Sequence, residues 1–285
     1  MHDETRLEAF IQGASRLPVL PKVTMRLLRM VDSTGTSSGD IAEIIEAEPS
    51  LAVRLLKLAN SSFYGQRGRV ATVRNAVIVL GSKTIRSLAL VVWTHTLRSH
   101  AGDVEELKLI APLLAHGLAT GVAAGMLAER TKHELGEDAF MAGLLHDIGR
   151  VALVAQMGRN YQTDILEPAR RECLLLHEQE GAILGFDHRG LGSALMASWG
   201  LPPFLASVAD THHDSGIVPT DQFFVAAVAL ADVYSTRLGF NAALETPRPE
   251  QDDITTFFGL QDKQAVTGFL QLCLGRVRTL SDALA

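Results

Sequence analysis

An adjacent histidine and aspartate interrupt an apolar stretch near the middle of the chain. His146 and Asp147 stand inside the sequence GLLHDIGR, which spans residues 143–150. A histidine and a carboxylate buried together are costly unless their polar atoms are satisfied, and a shared divalent metal ion can satisfy both. The alternative is a neutral His146 that is hydrogen-bonded to Asp147 or to a backbone carbonyl. The pair is therefore the first candidate for chemistry, and by itself it leaves both interpretations open.

Five further histidines and aspartates stand on other predicted helices. Histidine nitrogen and carboxylate oxygen are ligands that iron, manganese and zinc accept, and side chains on separate helices can converge inside a bundle. Other histidines, such as His95 and His177, are interpreted as helix-terminal or surface residues, because position rather than residue type marks a ligand. The candidate metal ligands are His116, His146, Asp147, His188, His212, His213 and Asp232.

The order of four of these residues resembles the HD superfamily, whose members bind metal ions and hydrolyse phosphate esters. His116, then the pair His146-Asp147, then Asp232 follow one another as in the family pattern H…HD…D. In that superfamily the metal ion activates a water molecule. The resemblance therefore implies a metal site made by these four side chains.

The remaining histidines are similar to those of the HD-GYP branch, whose members cleave cyclic di-GMP. His188 and the pair His212-His213 match its additional histidines, whereas the signature run of that branch has no counterpart after His213. Two other positions depart from the family pattern, since Arg150 replaces a lysine and Pro112 replaces a glutamate. Hydrolysis of a phosphate ester needs a group that accepts the charge of the phosphate, and Arg150 is the candidate for that contact. The alternative role is a helix-terminal salt bridge or a solvated side chain.

The N-terminal half resembles a more specific family, the HDOD domain. The resemblance extends over about residues 13 to 237, and its strength lies in the number, order and spacing of short phrases rather than in any one of them. HDOD proteins are generally signalling or regulatory modules, and many have lost the HD ligands that this chain keeps. The phrases are LPVLPKV (17–23), IIEAEPSL (44–51), LANSSFYG (58–65), NAVIVLG (75–81), Glu180, GFDH (185–188), WGLP (199–202) and the histidine pair at 212–213.

Three functions are compatible with these resemblances. The first is an HDOD-type signal-transduction or regulatory protein with one or two divalent ions of iron, manganese or zinc, and with signalling proteins and a nucleotide or phosphate as partners. The second is an active metal-dependent phosphohydrolase acting on a nucleotide or a cyclic dinucleotide, and the third is a metal-free protein-interaction module. In the phosphohydrolase the first ion is bound by His116, His146, Asp147 and Asp232, and His188, His212 and His213 support the second.

The elements that must position these residues are helices. Apolar residues recur at helical spacing nearly throughout, and alternating strand patterns are nearly absent, so the sequence predicts an all-α, multi-helix HDOD fold with an HD-like bundle in its C-terminal half. The predicted parts are an N-terminal helical part (1–100), the HD-like bundle (101–240), and a loop with a C-terminal helix packed on the bundle (241–285). The predicted helices span residues 4–13, 22–32, 39–47, 50–60, 72–80, 82–99, 104–129, 137–157, 161–170, 173–184, 188–198, 202–212, 220–237 and 262–282.

Composition limits the remaining choices. The 285 residues are 47% hydrophobic, which is enough for a large buried core, and the net charge of -6 supplies no global field to attract nucleic acid. Cys173 and Cys273 match no metal-binding or redox spacing and are predicted to be buried free thiols. No secretory signal is apparent and uninterrupted apolar runs fall short of a membrane span, so we expect a cytoplasmic protein without a membrane partner.

Overall fold

The computed structural model describes residues 4–30, 36–61, 64, 70–241 and 251–284, and every regular element in this part of the chain is helical. The predicted all-α fold class is therefore confirmed. The chain divides into two compact units. The large unit consists of residues 1–19 and 97–270, and the small unit consists of residues 20–96 and 271–285. The three parts predicted from the sequence remain a prediction.

Short helical turns complete the framework, namely two 3₁₀ turns at Leu97–His100 and His133–Leu135 and a π-helical turn at Tyr161–Leu166. In chain order the α-helices are α1 (Glu4–Gly13), α2 (Lys22–Met30), α3 (Ser38–Glu46), α4 (Pro49–Ala59), α5 (Val73–Thr96), α6 (Val104–Thr131), α7 (Gly136–Leu145), α8 (Ile148–Met157), α9 (Glu167–Glu172), α10 (Leu176–Leu184), α11 (His188–Ser198), α12 (Pro203–Thr211), α13 (Phe223–Arg237), α14 (Asp252–Phe257) and α15 (Lys263–Leu284).

The small unit has an apolar core between α5 and the helices α2, α3 and α4. Leu27, Ile45 and Leu55 are almost completely buried in this core. The start of α3 is fixed by Ser37, whose hydroxyl accepts a hydrogen bond from the Asp40 backbone N–H, while the Asp40 carboxylate accepts one from the Ser37 backbone N–H. This reciprocal cap satisfies two of the amides that a helix start leaves without partners.

A glycine bends α5 where the sequence predicts the end of one helix and the start of the next. Gly81 has φ 82° and ψ 158°, a backbone conformation that interrupts the helix and that side chains disfavour. The predicted break between residues 80 and 82 is confirmed.

The centre of the large unit is α6, which packs closely on α7 and α13. Small residues make the approach of α6 and α7 possible. A Cβ atom at Gly143 would lie 2.7 Å from the Thr120 carbonyl oxygen, and one at Gly117 would lie 2.8 Å from the Leu144 carbonyl oxygen. The long helix α6 is thereby held against the segment that carries His146 and Asp147.

The single helix predicted over residues 137–157 is wrong at its centre. The structure ends α7 at Leu145 and begins α8 at Ile148, and the two residues between them form a turn. Asp147 has φ -102° and ψ 17°, which departs from helical geometry, and its carbonyl oxygen accepts the first backbone hydrogen bonds of α8. The His146-Asp147 pair therefore stands at a corner between two helices.

Two smaller predictions are also corrected. The stretch from 241 to 253 is predicted as a loop, but its end begins the short helix α14; residues 242–250 lie outside the described residues. Cys273 is a buried free thiol as predicted, whereas Cys173 is exposed. Cys173 ends α9 in a left-handed conformation with φ 55°, so it leaves the helix at the surface instead of facing the core.

Two helical stretches are long and apolar enough to cross a membrane, judged by length and composition alone. They are Val73–His100 and Val104–Thr131, and 61% and 72% of their most apolar windows are buried inside the protein. A helix in the core of a globular protein has the same combination of length, hydropathy and burial. The expectation of no membrane partner rests on the length of uninterrupted apolar runs, a criterion that does not detect either stretch. That expectation remains a prediction.

Candidate metal centre

The structure brings the seven predicted ligands together inside the large unit. They come from five places in the chain: α6, the corner between α7 and α8, the first residue of α11, the end of α12, and α13. Six of the seven side chains are buried, and His213 is half-buried. The ligand atoms form two groups that share Asp147.

The first group contains His116, His146, Asp147 and Asp232. The Oδ2 atom of Asp147 lies 3.5 Å from His146 Nε2 and 4.0 Å from His116 Nε2. Asp232 joins the group through its Oδ1 atom, which lies 3.0 Å from His116 Nε2. This group has the composition that the H…HD…D pattern implies.

The second group contains His188, His212, His213 and the same aspartate. The other oxygen of Asp147, Oδ1, lies 3.5 Å from His188 Nε2 and 3.6 Å from His212 Nε2. The Nε2 atoms of His188 and His213 lie 3.2 Å apart. Asp147 thus directs one carboxylate oxygen to each group and can bridge two ions.

Backbone carbonyls fix the orientation of three imidazole rings. The Nδ1 atom of His146 lies 2.7 Å from the Gly143 carbonyl oxygen, that of His116 lies 2.7 Å from the Phe240 oxygen, and that of His212 lies 2.9 Å from the Ala209 oxygen. A carbonyl oxygen only accepts, so each Nδ1 must carry the proton. In the neutral ring the Nε2 lone pair is then directed at the cluster, which is the arrangement that metal-binding histidines commonly have.

The charge states of the central pair suit metal binding. Burial lowers the pKa of His146 to about 4, so its ring is neutral at pH 7 and keeps a lone pair for a metal ion. Burial alone would raise the pKa of the Asp147 carboxyl, but the positive charge of the neighbouring Arg150 outweighs burial and holds that pKa well below its usual range. Asp147 is therefore an ionised carboxylate in a buried site.

On the six buried ligands, four buried atoms have no hydrogen-bond partner among the described residues: His146 Nε2, His212 Nε2, Asp147 Oδ1 and Asp232 Oδ1. All four offer lone pairs when the rings are neutral and the carboxylates are ionised. Leaving such atoms buried without partners is costly, and a divalent cation satisfies them together. The residues present therefore fit iron, manganese or zinc, all of which accept histidine and carboxylate ligands.

Arg150 lies beside the cluster rather than at its opening. Its side chain is almost completely buried, and its Nη1 atom lies 3.0 Å from Asp147 Oδ2. The guanidinium therefore neutralises part of the charge on Asp147. Its predicted contact with phosphate remains a prediction.

Three residues near the cluster were given no role in it from the sequence. Glu180 and Tyr161 are fully buried behind His188, and the Tyr161 hydroxyl donates a hydrogen bond of 2.6 Å to Glu180 Oε1. His177, interpreted as a helix-terminal or surface residue, lies in the first turn of α10; it is half-buried, and its ring centre lies 5.3 Å from that of His213. The sequence does contain a signal for Glu180. Of the acidic residues in α10, it is the one that belongs to the positions resembling the HDOD domain.

A cavity of about 420 Å³ adjoins the second group of ligands. His212 and His213 form part of its wall, and Leu230, Val233 and Ile254 form apolar surface. Small-molecule sites in proteins commonly have this size and this mixture of apolar walls with a few polar groups. The cavity offers a route by which a ligand could reach His213.

Comparison with protein families identifies the class of this chain. The model of the HDOD domain matches residues 17–215. The chain belongs to the HDOD domain family. The matched segment lies within the residues 13 to 237 over which the sequence resembles that domain, and it confirms the resemblance.

Individual relatives are more distant. An uncharacterized protein of Treponema pallidum is 24% identical over 251 residues, which are 87% of this chain, and the chain spans about half the length of that curated relative. A Shewanella amazonensis structure, provisionally named a phosphohydrolase, has a TM-score of 0.74 and 23% identity, with 98% of each chain covered. A Marinobacter aquaeolei structure, provisionally named a signal transduction protein, has a TM-score of 0.73 and 23% identity, with 99% of this chain and 65% of the other covered. At these identities the structures establish a shared fold.

Proposed function

We propose that this HDOD protein is a signalling or regulatory protein whose buried histidine–aspartate cluster binds one or two divalent ions of iron, manganese or zinc. The observation that carries the proposal is the set of four buried lone-pair atoms without hydrogen-bond partners at His146, His212, Asp147 and Asp232. In a cluster built for packing or for internal hydrogen bonding, N–H groups would be directed at the two carboxylate oxygens, Asp147 Oδ1 and Asp232 Oδ1. Here the ring protons are directed outward to carbonyl groups instead.

The names of two structural relatives agree with this proposal and with a second one. One is provisionally named a signal transduction protein and the other a phosphohydrolase. The signalling role is our first proposal because the family match extends over residues 17–215, most of the chain. The proposed partners are signalling proteins and a nucleotide or phosphate ligand, and the proposed location is the cytoplasm, without a nucleic-acid or membrane partner.

The second candidate is a metal-dependent phosphohydrolase acting on a nucleotide or a cyclic dinucleotide. The cavity of about 420 Å³ beside His212 and His213 favours it, since a ligand there would reach the half-buried edge of the cluster. A bound divalent ion would supply Lewis-acid activation of phosphate or water. Arg150 would contribute the second positive charge near the reacting phosphate only if it moved away from Asp147, because its guanidinium is buried in that ion pair.

Elemental analysis of the purified protein tests the metal site. We expect near-stoichiometric iron, manganese or zinc in the wild type, either as purified or after reconstitution, and a loss of at least about tenfold in His146→Ala/Asp147→Ala, because two ligands are removed. The matched control is His133→Ala/Glu134→Ala, which removes an adjacent histidine and carboxylate that are both exposed. That control should keep the full metal content.

Two further results separate the candidate functions. Hydrolysis of a cyclic dinucleotide or a nucleoside phosphate by the metal-loaded wild type, absent from the double variant, would favour the phosphohydrolase over the regulatory protein. A wild type that stays metal-free after reconstitution with all three metals would reject both and would leave a metal-free interaction module as the function.

A further inference from the structure

We infer that Glu180, supported by Tyr161, is a positioning residue for His188, and that its buried carboxylate strengthens metal binding through that histidine. This inference rests on the proposed metal site and adds two residues to it that do not touch the metal. Glu180 and Tyr161 belong to α10 and to the π-helical turn at Tyr161–Leu166, so neither is a neighbour of His188 in the sequence.

One oxygen of Glu180 holds His188 at two points. Its Oε2 atom accepts hydrogen bonds from the His188 backbone N–H at 2.8 Å and from His188 Nδ1. The first bond fixes the start of α11, where the backbone amides have no partner within the helix. The second places a ring proton on Nδ1, so that in the neutral ring, the form that binds a metal ion, the Nε2 lone pair is directed at Asp147 and His213.

The second oxygen of Glu180 is also satisfied. The Tyr161 hydroxyl donates to Oε1 at 2.6 Å, and the tyrosine, the glutamate and the histidine are all fully buried. Gln179, the residue before Glu180, joins α10 to the same π-helical turn through a bond from its side-chain amide to the Asp164 carbonyl oxygen. The carboxylate is therefore held in one orientation from both sides.

Comparison with the other ligands shows what is special about His188. The rings of His116, His146 and His212 donate to backbone carbonyl groups, which are neutral. His188 donates to a carboxylate, and a carboxylate behind a metal-binding histidine increases the basicity of the nitrogen that faces the metal. Because the carboxylate and the ring are both buried, solvent screens the interaction between them only weakly. Its removal should therefore weaken metal binding even where the fold is retained.

Titration of the metal-free protein with Co²⁺, followed by the visible absorption of the bound ion, tests this role. The change is Glu180→Gln, which keeps an oxygen that can accept both bonds from His188 but removes the charge. We expect Co²⁺ to bind about 10- to 100-fold more weakly, as for other residues that support metal ligands. The matched control is Glu178→Gln, which makes the same change at an exposed position of α10 and should leave the affinity within about twofold.

A double-mutant cycle separates positioning from a general structural effect. If Glu180 acts through His188, then Glu180→Gln should change the Co²⁺ affinity by less than about twofold in a chain that already carries His188→Ala. An equal loss in both backgrounds would overturn the inference, and so would a Glu180→Gln protein that binds Co²⁺ as tightly as the wild type. In both cases the metal site itself would stand. Absence of Co²⁺ binding by the wild type would reject the proposed function and this inference with it.

Tyr161→Phe provides a second variant for the case in which Glu180→Gln does not fold, which circular dichroism would reveal. It removes one hydrogen bond from the carboxylate, and we expect Co²⁺ to bind about fivefold more weakly, the size of one such bond. A folded Tyr161→Phe protein with unchanged affinity would contradict the role of Tyr161.

Discussion

The two units of the protein have very different interiors. In the small unit the buried side chains are almost all apolar, and the buried polar ones among its described residues are Thr24, Arg86, Ser87 and Thr94. The large unit buries an ionisable cluster in addition to its apolar core. Its buried ionisable residues are Glu106, His116, His146, Asp147, Arg150, Glu180, Asp187, His188, His212 and Asp232, together with Tyr161 and Tyr234.

Apolar burial of the kind seen in the small unit is what folding requires, whereas the ionisable cluster of the large unit is not needed for folding. Burial of apolar surface is sufficient to explain why the helices of the small unit pack together. Burying a charge costs several kcal/mol unless it is paired, and replacing a buried ion pair with apolar residues is often neutral or stabilising. The cluster around Asp147 therefore does not serve stability best, and its cost supports the proposed binding of a cation.

The largest expected effect comes from Asp147→Ala. This change removes the carboxylate shared by both ligand groups, which is also the carboxylate 3.0 Å from the buried Arg150 guanidinium. We expect the free energy of unfolding of the metal-free protein to fall by about 3–5 kcal/mol, and the metal content to be lost. Urea unfolding followed by circular dichroism and elemental analysis measure the two effects.

Arg150→Met in the same chain is the control for that prediction. It should restore part of the lost stability, because it removes the buried charge that Asp147 neutralises, but it should restore none of the metal. If the double variant were no more stable than Asp147→Ala, the lost ion pair between Arg150 and Asp147 would not be the cause of the loss.

A core substitution in the small unit should affect stability alone. Leu55 is fully buried in α4, and Leu55→Ala should lower the free energy of unfolding by about 3 kcal/mol through lost burial and a residual cavity. Under conditions where the variant is folded, its metal content should equal that of the wild type. A folded Leu55→Ala protein that had lost its metal would contradict the distinction between the two interiors.

A smaller effect is expected at the surface of the same helix. Val53 is 67% exposed, so Val53→Ser removes little buried apolar surface. We expect the free energy of unfolding to change by no more than about 0.5 kcal/mol. Urea unfolding beside Leu55→Ala checks this, and a loss as large as that of Leu55→Ala would mean that Val53 is covered in solution.

Thiol labelling compares the two units without any substitution. Burial raises the pKa of Cys273, in the small unit, to about 12, so about one in ten thousand of these thiols is ionised at pH 8. Cys173, in the large unit, is exposed. A thiol reagent at pH 8 should label Cys173 alone in the folded protein and both cysteines in urea, as peptide mass spectrometry would show. Equal labelling rates in the folded protein would place Cys273 outside the core.

Much of the fold is visible in the sequence, because apolar periodicity reports which face of a helix is buried. It predicts the all-α class and the break at Gly81, where glycine ends the helical pattern. It misses the corner at residues 146–147, since the apolar pattern continues across the change in backbone direction. It also misses α14, whose six residues are too short to show a period.

The sequence predicts which residues are candidate ligands, but it does not predict which other groups hold those ligands in place. The family pattern and the residue types single out the seven candidate ligands, and the structure brings those seven together. The sequence does not show which groups orient them. Phe240 holds the His116 ring through a backbone carbonyl, which no side-chain pattern can reveal, and Glu180 reaches His188 only because α10 folds back toward α11. Partners of this kind depend on tertiary contacts between distant segments.

The corner between α7 and α8 has a consequence for anyone who transplants this motif into another protein. Successive residues of a straight helix point about 100° apart, so an adjacent histidine and aspartate on an idealised helix could not both face one ion. Here the turn at His146-Asp147 lets Asp147 lie 3.5 Å from the Nε2 atom of its neighbour while its other oxygen serves the second group. A graft that copied the two letters onto a designed helix would lose this arrangement, whereas one that carried residues 143–150 with their bent backbone would keep the pair oriented toward ligands supplied by other helices.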